Sequence, residues 1–206
     1  MSQDPNYFHR RSIRLKGYDY AQEGLYFITI CVQNRECFFG DITVGAYPCG
    51  RPFGDDGRPY IDGENVQNDI SLNGQPQGHA PTMRMNDAGE MVQKQWLALT
   101  DRFTNVQLHE FVVMPDHFHG ILEIVPDVGA NPCGRPTINK TVGDMVDAFK
   151  SITTVEYIRG VKTMGWTPFN GKLWQRNYYE HIIRDYDAFV RISEYIRENP
   201  EKWNGK

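Results

Sequence analysis

Two histidines one residue apart sit inside the apolar run "EFVVMPDHFHGILEIV". Successive strand residues point to opposite faces at a rise of about 3.3 Å each, so His117 and His119 share a face, roughly 7 Å apart. That face continues through Ile121 and Glu123, while Phe118, Gly120, Leu122 and Ile124 make the more apolar one. Such a pair has two readings: partly buried structural residues, or two ring nitrogens converging on one metal ion. Near the other end, "EYIRENP" places Tyr195 and Asn199 four residues apart, one turn from each other on a helix face. An amide oxygen suits a hard cation, and a phenol can attack phosphorus. The ordinary alternatives are a tyrosine bordering the core stripe of Phe189, Ile192 and Ile196, and an asparagine that ends a helix before Pro200.

These residues need elements to hold them. "LYFITICVQ" (25–33) is aromatic and β-branched and predicts a strand. "NDAGEMVQKQWLALTDRF" (86–103) predicts a helix, with Ala88, Val92, Trp96 and Leu99 at helical spacing. Two strands follow, 107–113 and 117–125, joined by a tight turn at "MPD". "TVGDMVDAFKSITTVEYIR" (141–159) predicts a second helix, and "LWQRNYYEHII" (173–183) a strand. "DYDAFVRISEYIREN" (185–199) predicts a third helix, capped by Asp185 and stopped by Pro200. The order β, α, β, β, α, β, α is that of an α+β, ferredoxin-like antiparallel sheet with packed helices, here with a C-terminal helix that carries the tyrosine.

A Gly, Pro, Asn and Asp-rich tract from about 45 to 82 has no periodicity and predicts an insertion, as does 126–138, in one domain spanning 1–206. "GAYPCGRP" (45–52) and "GANPCGRP" (129–136) are near copies, one in each insertion. Each brings one thiol and no neighbouring histidine, so the four cysteines, Cys31, Cys37, Cys49 and Cys133, read as free thiols of a cytoplasmic protein. No apolar run approaches the ~18 residues of a membrane span, and no export signal is read at the start. Net charge is −4. Residues 40–90 carry three basic and eight acidic groups, a balance of −5, so the remainder is +1 and leaves room for a basic face.

Together, "VVMPDHFHGI" and the distant "WQRNYYEHIIRD…ISEYIRENPEKW" resemble the single-tyrosine HUH transposases, and most of all the REP-associated tyrosine transposases. "RRSIRLKGYDY…LYFITICVQNRECFFG" and "AFKSITT" extend the resemblance over most of the chain outside the insertions. The resemblance implies cleavage and rejoining of single-stranded DNA beside a hairpin. It implies Mg²⁺ or Mn²⁺ held by His117, His119 and Asn199, with Tyr195 attacking the phosphate to give a 5′-phosphotyrosyl link and a free 3′-OH. The phosphotyrosine keeps the bond energy, so rejoining needs no ATP. A tyrosine titrates near 10, so a metal or base should help; His181 and Glu180 are the candidates for a base, or for residues standing behind the ligands. Arg10, Arg11, Arg14, Lys16 and Arg176 are candidate phosphate contacts, and Tyr178 and Tyr179 candidate stacking platforms. Lys150 matches a family motif in "AFKS". Members act as monomers or homodimers. The competing readings are a domesticated hairpin-DNA-binding regulator that has lost its chemistry, and a metal-dependent phosphodiesterase without a covalent step.

Overall fold

The computed structural model describes residues 17–43, 82–126 and 140–203. Arg10, Arg11, Arg14, Lys16, Cys49, Cys133, both "GAxPCGRP" copies and nearly all of the two expected insertions therefore lie outside the described residues.

Strand β1 (Gly24–Cys31) alternates strictly: Tyr26, Ile28 and Ile30 are fully buried on one face, while Phe27 and Thr29 point to the other. β4 (Val106–Met114) and β5 (His117–Ile124) form the expected hairpin. β5 pairs antiparallel with β1, and β1 with β6 (Tyr179–Ile183), giving the order β4-β5-β1-β6. This antiparallel sheet with its helices meets the α+β, ferredoxin-like expectation.

Helix α1 (Asp87–Leu97) starts where the Asn86 side chain accepts from the Gly89 amide at 2.9 Å. A short α2 (Leu99–Arg102) follows it. α3 (Val142–Thr163) begins with a reciprocal capping box between Thr141 and Asp144. Both long helices contribute to one core on the Tyr26–Ile28–Ile30 face: Val92 and Trp96 from α1, Met145, Val146, Phe149 and Tyr157 from α3. Each large apolar side chain so buried contributes about 1.5–3 kcal/mol. Gly120 makes room there, since a Cβ at that position would lie 2.8 Å from Trp96 Cζ2.

The opposite face carries a smaller cluster of Phe27, Ile121, Ile183 and Ile196. It docks α4 (Tyr186–Lys202), which begins where the Asp185 side chain accepts from the Ala188 amide at 2.7 Å. α4 thus covers part of the face that bears the histidines.

Three expectations need correction. α4 runs through Pro200 to Lys202 instead of stopping before it. Proline costs the helix one bond, that to the Ile196 carbonyl four residues back, and leaves the remaining turn to Lys202 in place. The strand expected over 173–183 is split. Leu173–Gln175 make a separate bridge to 31–33, the ammonium of Lys150 draws in the carbonyls of Gln175 and Arg176, and regular pairing starts only at Tyr179. Finally, β2 (Gly40–Thr43) and β3 (Thr82–Met85) form a hairpin-like pair that ends at Thr43 opposite Thr82. Thr82, expected to end the insertion at about 45–82, is instead the first residue of β3. Among the described residues no helix is long and apolar enough to cross a membrane.

Candidate active site

The two-residue turn Pro115–Asp116 fixes where β5 begins. Its carbonyls accept amide hydrogens from Val32, Phe38 and Phe39, which ties the turn to the segment after β1. From there the strand pleat aims His117 and His119 to the α4 face, each 5% exposed, with ring centroids 4.6 Å apart.

Each ring is held through Nδ1. His117 Nδ1–H donates to Asp116 Oδ1 at 2.6 Å, and the other oxygen of that carboxylate accepts from Arg35 Nε at 2.8 Å. His119 Nδ1 shares a 2.8 Å hydrogen bond with the Thr29 hydroxyl, its register partner on β1. The Asp116 carboxylate makes His117 Nδ1 the donor and leaves its lone pair on Nε2; His119 offers Nε2 in the same way in the tautomer whose Nδ1–H donates to the Thr29 hydroxyl. A carboxylate behind an imidazole, as Asp116 stands behind His117, is a usual support of a metal-binding histidine. Burial, reinforced by His117 and Arg35 against a smaller opposing effect of Asp116, pushes the His119 imidazole down to about 3 from 6.5. It is therefore neutral at pH 7, the state that can offer a lone pair. Burial would raise the Asp116 carboxyl. The hydrogen bond to His117 and the fields of His117 and Arg35 outweigh it and hold the group below the usual carboxylate value.

Tyr195 lies on the rim of the α4 core stripe, beside the buried Ile196, and is 43% exposed. Its hydroxyl stands 3.5 Å from His119 Nε2, at the outer limit of a hydrogen bond. The ring meets Phe27 edge-on at 6.1 Å, and Phe27 stacks on His119 at 5.4 Å. The phenol is thus positioned by packing while its oxygen stays open to the cleft. That cleft is lined by Arg35, His117, Tyr195, Asn199, Lys202 and Trp203. No group of three His, Cys, Asp or Glu side chains placed for a metal ion occurs among the described residues. The amide of Asn199, buried and on the same cleft wall, is the remaining donor beside the imidazole pair.

The other expected residues divide. Glu180 and His181 are neighbours on β6, so they face opposite sides. Glu180 pairs with Ile28 on the face of the main core and is buried there, which removes it as a base for Tyr195. His181 is on the histidine face but opposite Phe27, with β1 between it and β5, and it does not line the cleft. Tyr179 is exposed and in register with Thr29 and so with His119, on the same face. Tyr178 packs against the main core instead, which leaves less of its ring for stacking. Arg176 is exposed. Lys150 commits two protons to the carbonyls of Gln175 and Arg176, at 2.8 and 2.9 Å, so it braces this loop rather than reaching into the cleft.

Sequence reasoning missed Arg35, Asp116, Thr29, Phe27, Lys202 and Trp203. Asp116 was legible only as a turn residue, although its place directly before a strand histidine is a signal in itself.

No family model matches the sequence. Among solved structures, the chain is similar to a REP-associated tyrosine transposase bound to a REP hairpin, with 17% identity, 90% of this chain and 71% of that chain covered, and a TM-score of 0.43. It is also similar to a protein from Deinococcus radiodurans provisionally assigned as a transposase, with 14% identity, 90% and 95% covered, and a TM-score of 0.40. These likenesses stand as observations; the fold class rests on the sheet order and packing described above. Among curated proteins, a Haemophilus influenzae protein described only as uncharacterized is 36% identical over 209 aligned positions, which cover 95% of this chain and 90% of the relative. At that identity over nearly the whole of both sequences, the chain belongs to the same family as the Haemophilus influenzae protein.

Proposed function

We propose that the protein is a REP-associated type of tyrosine transposase, an HUH endonuclease that cuts and rejoins single-stranded DNA next to a hairpin. The observation that carries this reading is the meeting of the Tyr195 hydroxyl with His119 Nε2 at 3.5 Å, in a cleft that His117 and Asn199 also line. The sequence motifs that hold these residues supply the reaction class.

His117 and His119, through Nε2, and Asn199, through its amide oxygen, would hold a divalent cation, Mg²⁺ or Mn²⁺. The donor set fits, because both Nδ1 atoms are already engaged and His119 is neutral at pH 7. Such an ion, when bound, polarises the phosphate and neutralises charge that develops on it. The chain's own residues do the rest. Phe27 and Ile196 hold the tyrosine helix against the sheet, so Tyr195 Oη approaches from the open side of the cleft. Oη bonds to phosphorus as the P–O3′ bond breaks, the phenolic proton passes to solvent, and the departing oxygen ends as a 3′-OH. Reversal by a 3′-OH rejoins the strand. Nucleophile and imidazoles come from one chain, which favours a monomer over a homodimer with shared sites. One domain with two insertions, and a cytoplasmic location, belong to the same proposal. Arg176 and Tyr179 remain the described candidates for DNA contacts beyond the cleft.

The test is a covalent trap. Incubation with hairpin-bearing single-stranded DNA and Mn²⁺ should yield a protein–DNA adduct that resists denaturation. Tyr195→Phe should abolish the adduct and retain binding. Cutting that persists in Tyr195→Phe would point to a hydrolytic phosphodiesterase, and binding without cutting by the wild type to a DNA-binding regulator.

A further inference from the structure

Arg35 lines the cleft together with Tyr195 and His117, although it comes from the loop after β1 and not from the tyrosine helix. Its backbone is unusual. Asn34 and Arg35 both have φ 59, two successive non-glycine residues in the left-handed region. Asparagine tolerates that region; arginine does so at a cost in folding free energy, and such a cost is commonly kept where function needs a side chain aimed. Here it aims the guanidinium beneath the Pro115–Asp116 turn. Nε donates to Asp116 Oδ2 at 2.8 Å, and Nη1 to Cys31 Sγ at 3.0 Å. Among the described residues, two of the five N–H donors are engaged in this way and they fix the plane of the group. The side chain remains 31% exposed at the cleft, against 5% for its carboxylate partner. A planar, oriented guanidinium with spare donors suits the oxygens of a phosphate. The other cation on the cleft wall, Lys202, is bridged to Glu198 at 2.6 Å one turn back on its own helix.

We propose that Arg35 binds a phosphate of the single-stranded DNA in the cleft, next to Tyr195, its guanidinium held in place by Asp116 and Cys31. The inference rests on reading the cleft as a single-stranded DNA site. It adds a phosphate-binding residue from the β1 loop to a site otherwise made by β5 and α4. Because Asp116 bridges Arg35 and His117 with its two oxygens, the same carboxylate sets the phosphate contact and the first imidazole in one geometry.

The experiment measures binding of a hairpin oligonucleotide with a single-stranded tail, in EDTA so that no cutting occurs, over a series of salt concentrations. Wild type, Arg35→Gln and Arg35→Lys are compared, with thermal melts to show that each is folded. Loss of one single-strand phosphate contact should reduce the slope of log affinity against log salt by about 0.7 in Arg35→Gln, and Arg35→Lys should restore it. Affinity at low salt should fall about tenfold or more in Arg35→Gln. With Mn²⁺ and saturating DNA, adduct formation should be slower in both variants, because lysine keeps the charge but not the fork. A wild-type slope and affinity in Arg35→Gln would overturn the inference while leaving Tyr195 chemistry intact. A reduced slope in Arg35→Gln with no wild-type adduct would uphold the Arg35 contact and sink the cleavage reading. Failure of the wild type to bind the oligonucleotide would overturn both.

Discussion

His119 shows how much a single side chain here depends on its surroundings. In the unfolded chain it takes a proton near 6.5, whereas in the fold burial keeps it neutral down to about 3. Below pH 6.5 the unfolded state therefore binds the extra proton, and stability contributed above 6.5 is lost progressively as pH falls toward 3. Urea melts in EDTA should show this loss, and His119→Asn should make the decline between pH 6.5 and 4 shallower. Asp116→Asn can still accept from His117 but no longer bridges two donors as a carboxylate. Mn²⁺ affinity, read by titration calorimetry, should fall about 10–100-fold. At this scale the sequence was legible where periodicity applies. Strand alternation put His117 and His119 on one face, and helical spacing put Tyr195 beside Asn199. Arg35, Thr29 and Phe27 were not legible, because their link to the histidines is made by sheet register and a loop contact across long stretches of chain. The expectation for Glu180 failed on the same alternation rule: it and His181 could never share a face.

The elements were readable from pattern, and their irregularities were not. The helix cap at Asp185 followed from residue type, while those at Asn86 and Thr141 were seen only in the structure. The break in 173–183 did not follow from pattern, because it depends on the Lys150 ammonium taking two carbonyls that a regular strand would offer to a neighbour. Lys150→Met should therefore speed amide hydrogen exchange over 175–178 and cost about 1–2 kcal/mol, with less effect on β5. The passage of α4 through Pro200 was equally hidden, and it matters, since Lys202 and Trp203 reach the cleft only because the helix continues. On the main core side, Gly120→Val would push against the Trp96 ring and Phe118. Overpacking of that kind costs about 1–3 kcal/mol, visible as a lowered thermal midpoint.

As a whole molecule the protein is a ferredoxin-like sheet with α1 and α3 on one face and the tyrosine helix on the other. That plan followed from the order of the elements. The small β2–β3 pair was missed because two four-residue strands carry almost no pattern and the tract between them hides their kinship. Their pairing has a consequence. Thr43 and Thr82 are register partners, so the two ends of the tract lie side by side. Replacing residues 44–81 by Asn-Gly, which suits a two-residue hairpin turn, should leave the thermal midpoint within a few degrees and preserve adduct formation; a collapse of either would assign the tract a structural or catalytic part.

The central claim, that the phenol of Tyr195 and the imidazole pair work on one phosphate, is tested most directly by locating the nucleotide. Trypsin releases Ile192–Arg197, "ISEYIR", with a single tyrosine. After reaction with hairpin DNA and Mn²⁺ and digestion of the DNA, that peptide should carry the mass of a residual 5′-linked nucleotide on Tyr195. A nucleotide found on another residue, or DNA cut with every peptide unmodified, would contradict the account.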